Sequence, residues 1–341
     1  GDVCSASAGA LMEEGHPIGL DPEEGGDARL VVIWGQNTLS TGHHQWHFVN
    51  EARKRGAKVI DIDPRATRTM KQCDTHLAPL PGSDAILAAA VGRHLLATSH
   101  ADLDLAALWV SDLDHYRRQV EPWTFAATAA ATGVPEQQIA EFAAVFAASS
   151  PVLIRAGVGL QQAANGEQVI RAISALAILG GHWRHRGGGL SILSFPAYGP
   201  AAVKRADLRH GTARIVPGNK LAQVLTDPGL SPPIKAFMVW SANPAATQID
   251  SPRMIEGLMR LDLFTVVADH FITDTARHAD IVLPATTQFE HVDVQGAWGH
   301  HYVLGNRPAI APMGEARSSG AIMRGLAEKL GLDHPAFRES D

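Results

Sequence analysis

The amino-acid sequence predicts an α/β protein of two doubly wound, mostly parallel, Rossmann-like sheets related by a pseudo-repeat. Three observations predict it. Short apolar, β-rich runs alternate with segments of helical spacing, as in a parallel sheet with crossover helices. The alternation lapses in a stretch rich in Pro and Gly and then resumes. Part of the chain also occurs twice. "VIDIDPRATRTMKQCDTHL" at Val59–Leu77 is matched by "TVVADHFITDTARHADIVL" at Thr265–Leu283, where Asp63, Thr67, Thr69, Asp74 and Leu77 recur as Asp269, Thr273, Thr275, Asp280 and Leu283.

The elements follow in order. From Arg29, "LVVIW" is an apolar strand ending at Gly35, and "HQWHFVNEARKRGA" has helical spacing with a basic end closed by Gly. "KVIDID" is the next strand, stopped by Pro64. "LAPLPGSDAILAAAVGRHLLA" is a turn and then a helix with Ser83 or Asp84 as N-cap. "DLDHYRRQVEPWTFAATAAATGVPEQQIAEFAAVFAAS" reads as helices, "PVLIRAGVG" as a buried strand, and "GEQVIRAISALAILGG" as the helix after its Gly loop. "GGHWRHRGGG" breaks the pattern, and from about Phe195 to Pro233 no periodicity is evident. The expected division is therefore 1–195 and 196–341, the second domain partial and 196–233 a connection. The second βαβ set comprises "KAFMVWSANP", "SPRMIEGLMRL", "LFTVVAD" and "ADIVLPAT", with a last helix, "SSGAIMRGLAEKLG", ending at Gly331.

Size and composition bound the function. The chain has 341 residues, enough for two domains, with 45% hydrophobic and 19% charged residues. The net charge is −6 and no basic stripe is present, which argues against nucleic-acid binding. No apolar run is long enough for direct membrane insertion. The opening "GDVCSASAGA" has neither an initiator Met nor the pattern of a signal peptide, so the expectation is an internal piece of a longer protein. Localisation is then left open, with the cytoplasm favoured. The two cysteines, Cys4 and Cys73, cannot make a disulfide scaffold or a four-Cys site. Metal chemistry must rest on a single thiolate or on a cofactor.

The repeat keeps a constant offset of 206 residues (269 − 63) and extends upstream without a gap, through Trp34 and Trp240, Asn37 and Asn243, and Thr41 and Thr247. Eight identities join 31–77 to 237–283. In an open α/β sheet, ligands bind beyond the carboxyl ends of the strands. Asn37 and Asn243 fall there, and Asp63 and Asp269 close the following strand, where a carboxylate can bond a ribose or a base edge. Neutral Gly, Asn and Thr near helix N-termini can hold phosphates through backbone N–H groups. Two related dinucleotide-like sites on one chain fit this pattern. So do two sheets that merely share strand-end caps. A P-loop is absent, and "GVGLQQ" lacks the third Gly of the NAD fingerprint.

The ordered set "WGQN", "EARKRGAKVIDIDPRATRT", "PGSDA", "GVGLQQAANG", "GGHWRHRGGGL", "SANP" and "ADHFITDTARHADIVLPATTQFE" resembles the conserved blocks of the molybdopterin oxidoreductases, the superfamily of dimethyl-sulfoxide reductase, formate dehydrogenase and nitrate reductase. The resemblance covers nearly the whole chain. It implies a cofactor of one Mo or W atom held by two molybdopterin guanine dinucleotides (bis-MGD), related by approximate two-fold symmetry. It assigns Gly35, Asn37, Asp63, Arg65, Gly82 and Asp84 to one dinucleotide. Gly157, Gly159, Gln162, Asn243, Asp269 and Thr273 go to the other, or to the pterin region between them. In "VCSASAGAL", Cys4 takes the position of the family's metal ligand and catalytic residue, and a thiolate suits a metal already held by sulfur. Cys73, paired with Ala279 in the repeat, reads as core.

The implied activity is oxygen-atom transfer, or hydride and proton-coupled two-electron transfer, on a small-molecule substrate. Electrons would pass through a 4Fe-4S cluster in a preceding segment, with none in this chain, to an electron-transfer protein or subunit. Ser5 stands where formate dehydrogenases carry His after the ligand, which argues against formate. The resemblance also places the family's C-terminal barrel outside this chain. Two alternatives are a non-catalytic homologue like the large iron–sulfur subunit of respiratory complex I, which intact Asp and Gly blocks disfavour, and a non-redox hydratase such as acetylene hydratase. His43, His44 and His47 are expected at the start of the first crossover helix, facing solvent or a phosphate. His300 and His301 are expected in a surface loop. Glu290 is expected to make a structural hydrogen bond, and Trp34 and Trp240 to pack at strand ends.

Overall fold

A computed structural model describes residues 19–192, 211, 213–297 and 299–340. The described residues form two compact units. The first comprises the part up to residue 192 together with 296–302, and the second comprises the remainder. The expected boundary at 195/196 lies outside the described residues.

In the first unit, β1 (Leu30–Trp34), β2 (Lys58–Ile62), β3 (Thr75–Leu77), β4 (Val152–Ala156) and β5 (Gly189–Ser191) form a sheet of order β3-β2-β1-β4-β5. All its pairings are parallel. Every residue of β1 is buried because the sheet is covered on both faces, which is why the strand reads as an unbroken apolar run. Val31, Ile33 and Val59 pack on one face with Val49 and Ala52 of α1 (His43–Lys54). Leu30, Val32 and Trp34 pack on the other, with Leu87, Val91 and Leu95 of α2 (Asp84–Ala97). The same core takes in Phe142 and Phe146 of α3 (Glu136–Ala148) and Ile170 and Ile173 of α4 (Gly166–Leu179). Trp34 meets the Phe142 ring edge-on, with centroids 6.2 Å apart.

The second unit carries β6 (Ala236–Trp240), β7 (Phe264–Asp269) and β8 (Ile281–Pro284) in the order β6-β7-β8, again parallel. Leu225 of α5 (Leu221–Thr226) and Met254 and Leu258 of α6 (Ser251–Leu258) pack with Phe237. Two further strands, β9 (Asp293–Ala297) and β10 (His300–Asn306), pair with each other, and α7 (Ser319–Lys329) follows.

The repeat in sequence is a repeat in structure. Leu30 pairs with Lys58 as Ala236 pairs with Phe264, and Ile60 with Thr75 as Val266 with Ile281. Thr69 Oγ1 donates to Asn37 Oδ1 (2.9 Å) and accepts from the Leu39 N–H (3.0 Å). Thr275 Oγ1 donates to Asn243 Oδ1 (2.8 Å) and accepts from the Ala245 N–H (3.0 Å). The Val59 N–H donates to Asp74 Oδ2 and the Thr265 N–H to Asp280 Oδ2, both at 2.7 Å. Thr67 Oγ1 accepts from the Met70 N–H (3.2 Å), and Thr273 Oγ1 from the Ala276 N–H (3.1 Å). Thr41 and Thr247 donate to the carbonyls of Asn37 (3.2 Å) and Asn243 (3.0 Å). The recurring polar residues therefore brace the loops that leave the first two strands of each sheet, satisfying backbone groups that no strand neighbour reaches.

Three expectations are corrected. The stretch expected to break the pattern contains an edge strand, β5, because the "GGGL" backbone pairs with β4. The Gly187 and Gly189 conformations (φ +80° and +123°) let that segment turn back onto the sheet. The expected connection contains α5, which Leu225 anchors to α6. His300 and His301, expected in a surface loop, instead begin the strand β10, which pairs with β9; the largely exposed residues of the two strands give no alternation to recognise.

One carboxyl is buried in the sheet itself. Asp61 of β2 has no exposed surface, and neither of its oxygens has a hydrogen-bond partner. His76 Nε2 stands 3.8 Å from Oδ2, while its own hydrogen bond goes to the Asp63 carbonyl (2.8 Å). Desolvation, followed by repulsion from Asp63, raises the Asp61 pKa to about 7. The neighbouring Cys73 thiol, which donates to the Thr69 carbonyl (3.3 Å), is raised to about 12, chiefly by burial.

Two outcomes are expected. Thr69→Val and Thr275→Val each lose about 1–3 kcal/mol in urea unfolding, because each strands a backbone N–H; Thr69→Val also unpairs Asn37 Oδ1, whereas Asn243 Oδ1 keeps the bond from the residue-275 N–H (3.1 Å). Losses below ~0.5 kcal/mol in both would show that the braces are decorative. Asp61 binds its proton more tightly folded than unfolded, so stability falls as pH rises from the ordinary carboxyl range to about 7 and is level above that. Asp61→Asn removes that slope in thermal melts taken across the same range; an unchanged slope would place the titration elsewhere.

Candidate cofactor site

The strand order of the first unit reverses between β1 and β4, and it is beyond such a switch point that open α/β sheets bind ligands. Here the two strand ends lie very close. The Gly157 N–H donates to the Trp34 carbonyl (2.7 Å). A Cβ on Gly157 would stand 1.9 Å from the Gly35 carbonyl oxygen, and one on Gly35 would stand 2.7 Å from Leu160 Cγ. Gly35 also has φ +62°. Only glycines allow this approach, and the loops beyond them diverge to leave a pocket of about 980 Å³.

Gly35, Asn37 and Gly157 line that pocket together, along with Gly42, His43, His44 and His47 at the start of α1. His300 and Tyr302, which group with the first unit, also line it. Gly159 lies near the Gly35 carbonyl, in the first unit rather than with Asn243. Gln162 is exposed at the end of the helical turn Val158–Gln162. Asp63 and Arg65 sit at the end of β2, where Asp63 Oδ1 accepts from the Arg65 N–H (2.8 Å). Gly82 has φ +87°, and its carbonyl accepts from Asn165 Nδ2 (2.8 Å). Asp84 is turned inward, where its Oδ1 accepts from Trp34 Nε1 (2.8 Å) and burial raises its pKa. In this state it anchors the strand-end indole. Cys4 lies outside the described residues.

In the second unit, Asn243, Asp269 and Thr273 lie at the corresponding strand ends. Asp269 Oδ1 accepts from the His270 N–H (2.7 Å), and Asn243 Nδ2 donates to Asp274 Oδ2 (3.2 Å). Ser241, which takes the place of Gly35, holds the left-handed conformation at φ +45°. Glu290 does make structural bonds. Its Oε2 accepts from the Thr287 N–H (2.8 Å) and its Oε1 from the Met313 N–H (2.7 Å), which together lower its pKa.

Sequence reading missed Arg155. The residue is 9% exposed and lines the pocket, and burial lowers its pKa to about 10. Nε donates to Gln36 Oε1 (2.9 Å) and Nη1 to Ser191 Oγ (2.8 Å). The signal was available: a single charge within "PVLIRAGVG", a strand buried on both faces, needs a reason to be there. Among the described residues, no group of three or more His, Cys, Asp or Glu is arranged to hold a metal ion.

The family model for molybdopterin oxidoreductases matches residues 16–329. The chain is 35% identical over 347 residues to the probable oxidoreductase YoaE of Bacillus subtilis, covering 99% of this chain and 50% of that protein. It is 28% identical to the dimethyl sulfoxide/trimethylamine N-oxide reductase of Rhodobacter capsulatus, covering 89% of this chain and 42% of that one. Among solved structures, acetylene hydratase from Pelobacter acetylenicus shares the fold, with a TM-score of 0.75, 22% identity, and coverage of 89% of this chain and 47% of that chain. The chain thus spans about half the length of the curated relatives it matches. With two sheets braced alike at their strand ends and the family pattern running along most of its length, the chain belongs to the molybdopterin oxidoreductase family.

Proposed function

We propose that this chain is the cofactor-binding part of a molybdenum or tungsten oxidoreductase, and that each of its two strand-end sites takes one guanine dinucleotide of a bis-MGD cofactor. The observation that carries the reading is the duplicated brace. Asn37 with Thr69 and Asn243 with Thr275 hold two loops in the same geometry, each followed by an Asp at the end of the next strand. A ligand built of two like halves calls for such a pair of sites. Asp63 and Asp269 would each bond a base or ribose through the oxygen that does not cap its own loop.

The residues present fit such a group. The Gly35–Gly157 cradle has no room for a Cβ, so backbone can approach a ligand closely. The buried Arg155 charge beside it suits an anion. When bound, the cofactor supplies two-electron oxidation–reduction of a small substrate, while the protein binds, orients and electrostatically tunes it. Cys4 is proposed as the protein's ligand to the metal, by its place in the family pattern. Electrons would pass by way of an iron–sulfur cluster outside this sequence to an electron-transfer protein or subunit.

Metal and nucleotide analysis of the full-length gene product tests the reading. About one Mo or W and about two GMP per chain are expected after acid hydrolysis, one nucleotide for each strand-end site. Asp63→Ala and Asp269→Ala should each lower the GMP yield by about half, and Cys4→Ala should alter or lose the metal while leaving the nucleotide. A matured wild-type protein with neither metal nor nucleotide would overturn the proposal and leave a structural subunit.

A further inference from the structure

The second strand of each sheet ends differently in the two units. In the second unit the ladder between β7 and β8 runs on to Asp269 and Pro284, and the Ala285 N–H donates to the Asp269 carbonyl (3.2 Å). In the first, the Asp63 N–H donates to the Leu77 carbonyl (3.1 Å), but the ladder stops at Ile62 and Leu77. The next donor would come from the counterpart of Ala285 at the 206-residue offset. That residue is Pro79, which has no N–H to give. The Asp63 carbonyl is bonded instead by His76 Nε2 (2.8 Å), a side-chain donor from β3. A carbonyl only accepts, so this nitrogen carries a proton.

Asp61 stands behind that bond. Asp61 and His76 are register partners on β2 and β3, and they take the places of Val267 and Val282, which pack together in the second unit. Asp61 is fully buried, neither of its oxygens has a hydrogen-bond partner among the described residues, and Oδ2 lies 3.8 Å from the same His76 nitrogen. The charged and titratable groups near it come from several elements. Asp63 follows on its own strand, Cys73 precedes β3, and Arg53 of α1 is engaged by Asp74 (3.5 Å) and the Gln72 carbonyl (2.8 Å). β1 presents the apolar Ile33. An ionised Asp61 would find its donor in His76 Nε2–H, about 1 Å beyond bonding distance.

We propose that His76 is the positioning residue of the β2 strand end, standing in for the N–H that Pro79 lacks, and that Asp61 makes it a proton-operated latch. With Asp61 protonated, His76 holds the Asp63 carbonyl. When Asp61 ionises, Nε2–H turns to the carboxylate and the Asp63–Arg65 turn is released. Burial, followed by repulsion from Asp63, raises the Asp61 pKa to about 7. The latch is therefore closed below neutral pH and opens as pH rises through that value. The second unit has a permanent ladder bond in its place, so the latch acts on one strand end only.

Hydrogen exchange of the full-length protein, corrected for the intrinsic effect of pH, tests both parts. In peptides covering 63–70, the wild type should lose about fivefold in protection between about pH 6 and about pH 8, the worth of one hydrogen bond. Asp61→Val should be protected equally at both. His76→Val should be poorly protected at both, and adding Pro79→Ala should restore protection by supplying the ladder N–H, as Ala285 does. Wild-type protection that does not change over this range overturns the latch. Failure of Pro79→Ala to rescue His76→Val overturns the positioning role. If His76→Val does not fold, the profiles of wild type and Asp61→Val decide: identical profiles overturn the proposal.

The consequence for a ligand rests on the function proposed above. If Asp63 bonds a base or ribose, the matured wild type should release cofactor, read as GMP after acid hydrolysis of the dialysate, faster at about pH 8 than at about pH 6. Asp61→Val should show no such difference. Equal release at both pH values, with protection still pH-dependent, overturns the link to the ligand and leaves the latch. A matured protein without nucleotide sinks the proposed function alone, since the exchange measurement needs no ligand.

Discussion

The first unit is organised around the closeness of two parallel strand ends. The Gly157 N–H bonds the Trp34 carbonyl, and there is no space for a side chain between Gly157 and Gly35. This contact fixes where β1 and β4 stop and where their loops part. Because the strand order reverses at that point, the crossover helices go to opposite faces and leave a gap between their loops. The pocket follows from the topology, and the glycines set how closely a ligand can approach the backbone. Bulk at Gly157 would push the strand ends apart and spoil the sheet before it spoiled any binding, whereas bulk at Gly35 would meet the Leu160 side chain.

The repeat braces the strand-end loops of both sheets by the same means. Each identical polar residue bonds a backbone group within its own unit, so the recurrence has a structural cause even before a ligand is considered. The reading of shared strand-end caps therefore holds in the structure, whatever the loops bind. A loop held by Asn and Thr is also a loop whose remaining N–H and amide groups are fixed in place, and fixed donors are what a dinucleotide needs. The units are not equivalent. The first has five strands, a pocket at its switch point and a buried guanidinium. The second, among the described residues, has a parallel sheet of three strands and Ser241 in place of the strand-end Gly. An asymmetric partner can then be held by a symmetric motif.

Buried ionisable groups mark where the sheet departs from plain packing. Asp61 and Arg155 occupy corresponding inward positions on β2 and β4, one strand to each side of β1. The carboxyl is isolated and protonates; the guanidinium cannot shed its proton at neutral pH and is left as a charge facing the pocket. The same low-dielectric surroundings act on both, disfavouring the charged form of each.

By itself the sequence determined the strand–helix alternation, the parallel α/β class, the repeat with its offset, and the family. These depend on periodicity and on short blocks whose order survives without coordinates. It also identified Gly35, Asn37, Asp63, Asn243 and Asp269 as strand-end residues, since a strand's end is marked locally by Gly, Asn, Asp or Pro. Only the tertiary structure decided that Gly157 belongs with Gly35, that Asp84 turns inward to Trp34, and that Arg155 faces the pocket. Each of those facts is a meeting of segments far apart in the chain. The edge strand at Gly189–Ser191 was hidden for the same reason: its pairing is supplied by β4, and nothing in three residues rich in Gly announces it.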